Sequence, residues 1–193
     1  MDRASDSPPL DLVRLIEVLD RHQVEYVVVG GVAATAYGAT RETEDADCVV
    51  RRERSNLHRL ASALRELNAR LRVASMTDHE ARELPVQLDV MMLEKAGNST
   101  WTTDAGNFDV LADLKDRVGH SVPYEDLITR SVILEGDGFN LHMASLDDII
   151  AAKTFANRPK DLEALPDLLS IQNRDSGLSP PADTPGHGPQ PGL

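Results

Sequence analysis

Two aspartates one residue apart, Asp45 and Asp47 in Asp-Ala-Asp-Cys-Val-Val, run directly into an apolar, β-branched stretch. On a strand, residues two apart leave the same face, so the two carboxylates stand side by side while Ala46 and Cys48 turn to the other. Adjacent anions repel unless a cation lies between them, and hard carboxylate oxygens suit Mg²⁺ or Mn²⁺. The bland alternative is a solvated acidic turn, because Glu42 and Glu44 crowd the same segment. Acids that lead straight into an apolar strand argue against it. Upstream, Gly30-Gly31 closes the run Val24-Glu-Tyr-Val-Val-Val29. A glycine pair at a strand-to-helix turn lets backbone approach a phosphate closely, although many such turns serve geometry alone. A glycine turn followed by a carboxylate pair is the layout that phosphoryl or nucleotidyl transfer needs.

A third carboxylate has two candidates, Asp89 in Val-Gln-Leu-Asp-Val-Met-Met and Asp109 in Phe-Asp-Val-Leu, and spacing does not choose between them. Lys153 is the lysine within an apolar helical stretch, and Arg158, Lys160 and Asp161 follow it closely. Seven arginines fall between Arg51 and Arg72 against Glu53 and Glu66. Arg51, Arg52, Arg54 and Arg59 in this basic stretch could guide a phosphate backbone, or form a solvated helix face. The histidines make no metal pattern, since His79-Glu80 lacks the second histidine of HExxH. There is no Gly-x-Ser-x-Gly, and the single cysteine, Cys48, excludes a disulfide within the chain and any Cys-x-x-Cys site.

These residues must be positioned by an alternation of helices and strands. After Ser7-Pro8-Pro9, Leu12, Leu15, Ile16 and Leu19 recur at helical spacing to about Arg21. A strand is expected over 24–29, a short helix over 32–38, a strand over 45–51, and a helix from Ser55 to Leu71. A strand over 86–93, a hairpin of 101–103 with 108–111, and weaker strands over 132–135 and 139–143 follow. Ser145 caps a helix to about Asn157, and Pro159 starts another to about Ile171. The order implies an α/β or α+β fold, a mixed sheet flanked by helices with further helices closing the chain.

The 193 residues carry 20 Lys+Arg against 32 Asp+Glu, a net charge of -12 that excludes a protein basic all over. The 51–72 stretch is nevertheless locally basic. Apolar residues make up 41% and aromatics 4%, so the expected core is aliphatic. The opening MDRASDSPPL has no apolar signal core and no run suits a membrane span, so a soluble, cytoplasmic protein without membrane contact is expected. The last 18 residues hold five prolines and four glycines, the composition of a disordered tail. The expected division is an arm over 1–8, a core over 9–144, packed helices over 145–172 and a tail over 173–193.

The pattern Gly30, Gly31, Gly38, Arg41, Thr43, Asp45, Asp47 resembles that of the AbiEii/MenT-type nucleotidyltransferase toxins, within the DNA polymerase β-like minimal nucleotidyltransferases. Thr102-Thr-Asp-Ala-Gly-Asn-Phe-Asp109 resembles the hairpin that carries their third carboxylate, and Ser145 to Asp161 their lysine helix. The resemblance spans roughly residues 10 to 172. It implies the polymerase β-like sheet, metal binding by Asp45, Asp47 and Asp109 in preference to Asp89, and a triphosphate held by Gly30, Gly31, Arg41, Lys153 and Arg158. It further implies a nucleoside triphosphate substrate, with CTP or UTP favoured by family habit, the 3′ end of tRNA as acceptor, and a cognate antitoxin. Thr43 would be a site of silencing phosphorylation. Transfer to a protein or an antibiotic hydroxyl, or a silent nucleotide-binding module, are the alternatives.

Overall fold

The computed structural model describes residues 8–41, 43–73, 87–136 and 139–176. Helix α1 (Leu12–Arg21) is capped by Asp11, whose side chain accepts the Arg14 N–H at 3.0 Å. The cap is therefore Asp11, and the Pro8-Pro9 start expected from sequence gives way to it, because a carboxylate satisfies an otherwise orphaned helical N–H. Strand β1 (Tyr26–Val29) is buried throughout and passes without a loop into α2 (Gly30–Ala36), two residues earlier than the sequence suggests. Strand β2 (Asp45–Val50) and helix α3 (Arg54–Glu66) follow.

Helix α3 stops at Glu66, short of the expected Leu71. Asn68 takes a left-handed φ of 50°, and Arg70–Leu71 forms a short strand, β3. The expected strand over 86–93 is also corrected. Residue 86 lies outside the described residues, and Val90–Ala96 is a helix, α4, with Asp89 as its cap accepting the Met92 N–H at 2.9 Å. Val90 and Leu93, three apart, turn inward, and helical spacing prevails over the β-like run. Strands β4 (Ser99–Thr103) and β5 (Gly106–Leu111) form a hairpin about Asp104-Ala105. A small second sheet, β6 (Asp113–Lys115) with β7 (Ser121–Pro123), and the short helix α5 (Tyr124–Ile128) have no counterpart in the sequence reading. Then come β8 (Val132–Gly136), β9 (Phe139–Met143), α6 (Leu146–Ala156) and α7 (Pro159–Ser176). Helix α7 runs beyond the expected 171–172 boundary, with Pro166 inside it.

The main sheet is mixed and seven-stranded, in the order β3-β4-β5-β2-β1-β9-β8. β2 pairs antiparallel with β1 and parallel with β5, and β1 pairs parallel with β9. The fold is thus the expected mixed α/β sheet with helices against it and helices closing the chain. One core joins Leu15 and Leu19 of α1, the valines of β1, Leu57, Leu60 and Leu64 of α3, and Trp101 and Phe108 of the hairpin. Its aromatic buried members are Trp101, Phe108, Tyr26 and Tyr124, and apart from Cys48 and Met143 the rest are aliphatic. Among the described residues no helix is long and apolar enough to cross a membrane. Of the expected tail over 173–193, residues 173–176 belong to α7, and 177–193, the first seven residues, and His79 and Glu80 lie outside the described residues.

Candidate active site

In β2 the alternation assigns faces: Ala46 and Cys48 are buried, and Asp45 and Asp47 leave the other side partly exposed. Because β2 and β5 run parallel with Asp47 opposite Asp109 and Asp45 opposite Asn107, Asp109 joins the same face. The structure therefore brings Asp45, Asp47 and Asp109 together, whereas Asp89 caps α4.

The glycine pair is explained by what presses on it. Gly30 has φ +65°, and a Cβ there would run into Asp47 Oδ2. A Cβ on Gly31 would lie 2.5 Å from Thr43 Oγ1. Both positions need glycine so that Asp47 and Thr43 can close onto the start of α2. Thr43 Oγ1 donates to the Asp45 carbonyl at 2.9 Å, fixing the approach to β2. Thr43 is half-buried beside the carboxylates.

Burial pushes the Asp47 carboxyl above its ordinary range; the Lys160 charge and the Gly31 N–H draw it back, and the Asp45 charge opposes them. Asp109 is pushed up to about 6, first by burial and then by the Asp47 charge, with Arg72 acting in the other direction. Its Oδ1 is buried and has no hydrogen-bond partner. Arg72 stands 3.6 Å from Asp45 Oδ1 and 3.7 Å from Asp109 Oδ1.

A cleft of about 570 Å³ opens beside these acids, lined by Gly30, Gly31, Thr43, Asp45 and Asp47 on one wall and by Lys153, Arg158, Lys160 and Asp161 on another. Asp161 is 1% exposed and organises the cationic wall. It accepts Arg158 Nε at 2.6 Å and Lys153 Nζ at 3.4 Å. Burial alone would raise the Asp161 carboxyl, yet the Arg158 hydrogen bond and the charges of Arg158 and Lys153 outweigh it and hold it low. Asn157, left-handed at φ 49°, ends α6 and lets the chain turn so that both α6 and α7 supply this wall. Arg41 also lines the cleft, held by Glu163. Asn98, Asp113 and Lys115 also line it; no sequence signal marks them, because the β6–β7 hairpin that carries two of them has no alternating pattern.

Four arginines of the basic stretch are tied to neighbouring elements. Arg51 and Arg59 both pair with Glu25, at 2.9 and 2.8 Å. Arg52 donates to the carbonyls of Leu93, Glu94 and Gly97, covering the C-terminal end of α4, and Arg54 pairs with Glu94. None of the four lines the cleft. Each of these four guanidiniums is engaged by carboxylates or carbonyls of neighbouring elements.

Among the described residues, no three acidic, histidine or cysteine side chains by themselves enclose a metal-sized point. Mg²⁺ does not require that, because it takes one or two carboxylates and completes its shell with phosphate oxygens and water. The buried Asp109 Oδ1, which accepts no hydrogen bond, and the all-oxygen donor set of Asp45, Asp47 and Asp109 fit such an ion.

The chain matches no protein-family model and no curated protein sequence. Among solved structures it is similar to a candidate nucleotidyltransferase from Thermotoga maritima, at 16% identity and a TM-score of 0.49, over 82% of this chain and 90% of that one.

Proposed function

We propose that the protein is a nucleotidyltransferase that moves a nucleoside monophosphate from a nucleoside triphosphate to a hydroxyl acceptor. The observation that carries this reading is the register of Asp47 with Asp109 beside a cleft whose facing wall bears Lys153, Arg158 and Lys160. Three carboxylates suit a divalent cation, and the cationic wall suits a triphosphate.

Asp45, Asp47 and Asp109 would hold Mg²⁺ or Mn²⁺, which when bound neutralises phosphate charge and favours ionisation of the attacking hydroxyl. Lys153, Arg158 and Lys160 stabilise charge that builds on the leaving pyrophosphate, with Asp161 fixing the first two in place. Arg41, which also lines the cleft, serves the outer phosphates. Asp109, in register with Asp47 on the same face, accepts the acceptor hydroxyl proton. The acceptor oxygen forms a bond to the α-phosphorus as the bond from that phosphorus to the bridging oxygen breaks. Pyrophosphate departs.

The finer reading rests on the resemblance: the 3′ end of tRNA is the acceptor, CTP or UTP the donor, and the biological role is that of a toxin held in check by an antitoxin. Phosphorylation of Thr43 would place about two negative charges between Gly31 and Asp45 and repel the triphosphate. The test is label transfer. Purified protein is incubated with Mg²⁺, each of four α-labelled nucleoside triphosphates and total tRNA, beside an Asp45→Asn control. Label on tRNA that disappears in the control supports the full reading and names the nucleotide. Label on protein alone moves the acceptor to a protein hydroxyl, and no label on any acceptor overturns the tRNA reading.

A further inference from the structure

Arg72 reaches the carboxylates along a row that crosses four strands. Its backbone N–H donates to the Thr100 carbonyl at 2.8 Å, and Thr100 Oγ1 donates back to the Arg72 carbonyl at 2.7 Å. This continues the β3–β4 register one residue past Leu71, which pairs with Trp101. Thr100 in turn pairs with Asp109, and Asp109 with Asp47. Register partners share a face, so Arg72, Thr100, Asp109 and Asp47 emerge on one side of the sheet. Neighbouring strands lie roughly 4.8 Å apart, and the long arginine side chain passes the short Thr100 to arrive at the acids.

What it makes there is charge contact without saturation. At 3.6 Å from Asp45 Oδ1 and 3.7 Å from Asp109 Oδ1, the guanidinium neutralises both acids but lies beyond hydrogen-bond length from either oxygen. Asp109 Oδ1 remains without a hydrogen bond although it is buried. A side chain selected to clamp these carboxylates would sit closer and bidentate, as Arg158 does on Asp161. The two oxygens Arg72 neutralises belong to the acids that would receive a divalent cation.

We propose that Arg72 is a resident counter-charge: it holds the acidic face together in the cation-free protein and competes with the incoming divalent cation for Asp45 and Asp109. Arg72 is thus a positioning residue that sets the cation affinity of the site. The cation binds weakly alone, since it must displace a fixed positive charge, and more tightly when it arrives already carrying the negative triphosphate. This rests on the metal-binding reading of the three aspartates given above.

The test uses the full-length protein and Mn²⁺ as the probe, with free Mn²⁺ read by electron paramagnetic resonance. Arg72→Gln, at a position one-third exposed and away from the core, should bind Mn²⁺ about tenfold more tightly than wild type in the absence of nucleotide. Arg72→Lys, which keeps the charge but cannot span both acids, should fall between them. Without cation, Arg72→Gln should melt several degrees below wild type, and saturating Mn²⁺ should close that gap. Unchanged or weaker Mn²⁺ binding in Arg72→Gln, with wild type still binding in an Asp45-dependent manner, overturns the role of Arg72 and leaves the metal reading standing. Absence of Mn²⁺ binding by either protein, with and without nucleoside triphosphate, overturns both.

Discussion

Asp47 and Asp109 are register partners across the parallel pair β2–β5, so their carboxylates leave the sheet on one face although 62 positions separate them in the chain. Their mutual repulsion is the second cause, after burial, of the raised Asp109 carboxyl, pushed up to about 6. The acid pair is costly for the fold unless a cation joins it.

That relationship sets a pH dependence. The folded Asp109 carboxyl is raised above its ordinary 3.8, so its neutral form stabilises the fold fully below pH 3.8 and this contribution is lost as pH rises through about 6. Cation-free protein should therefore lose about 1–2 kcal/mol between pH 4 and 7 from this group. Asp161, held low, contributes with the opposite sign, so the quantity to measure is the difference between wild type and Asp109→Asn in urea denaturation. A pH-independent difference would contradict the placement. Mn²⁺ affinity should also fall as pH drops below 6, because protons compete for the carboxylate.

Gly30→Ala should damage the site and the fold together. Its φ of +65° disfavours any Cβ, and that Cβ would meet Asp47 Oδ2. A loss of about 1–3 kcal/mol is expected in thermal denaturation, with at least tenfold lower transfer activity. Gly97→Ala is the control, since it shares a positive φ but nothing lies within 4 Å of its Cβ position. It should lose stability with transfer unchanged.

Asp161→Asn should separate binding from chemistry. The amide keeps the shape but gives up the charge that orients Arg158 and Lys153. The KM for nucleoside triphosphate should rise about tenfold with a smaller change in kcat, alongside a stability loss on the order of 1–3 kcal/mol. Equal falls in kcat and kcat/KM would mean that the pair acts only in the transition state.

Arg52→Ala should act on α4 alone. Three backbone carbonyls at the end of that helix lose their donor, at a cost of about 1–2 kcal/mol in denaturant midpoint. Transfer activity and affinity for tRNA should match wild type below the melting range. A selective loss of tRNA affinity would give this arginine an RNA-binding role as well.

Much of the site was legible because it is local. Asp45 and Asp47 follow from period-two alternation within one strand, the Gly30-Gly31 turn from the residues that flank it, and the Lys153–Asp161 cluster from helical spacing and a proline start. Those signals need only neighbours in the chain. The choice between Asp89 and Asp109 did not, because both sit in β-like runs and only the pairing of β5 with β2 decides which one meets Asp47.

Tertiary structure also reassigned charges that looked alike. Seven arginines between 51 and 72 form one basic stretch in the sequence, yet Arg51 and Arg59 fall on Glu25, Arg52 caps α4, and Arg72 faces the carboxylates. The alternation Arg70-Leu71-Arg72 carries a short-strand signal, but the helical spacing of α3 continues through Leu71 and masks it. Composition and periodicity determined most of the helices and the central strands, because those preferences act over a few residues; the 86–93 run and the β6–β7 hairpin were decided by tertiary packing. Which charge meets which partner is decided by strand register and helix packing, where contacts join residues far apart in the chain.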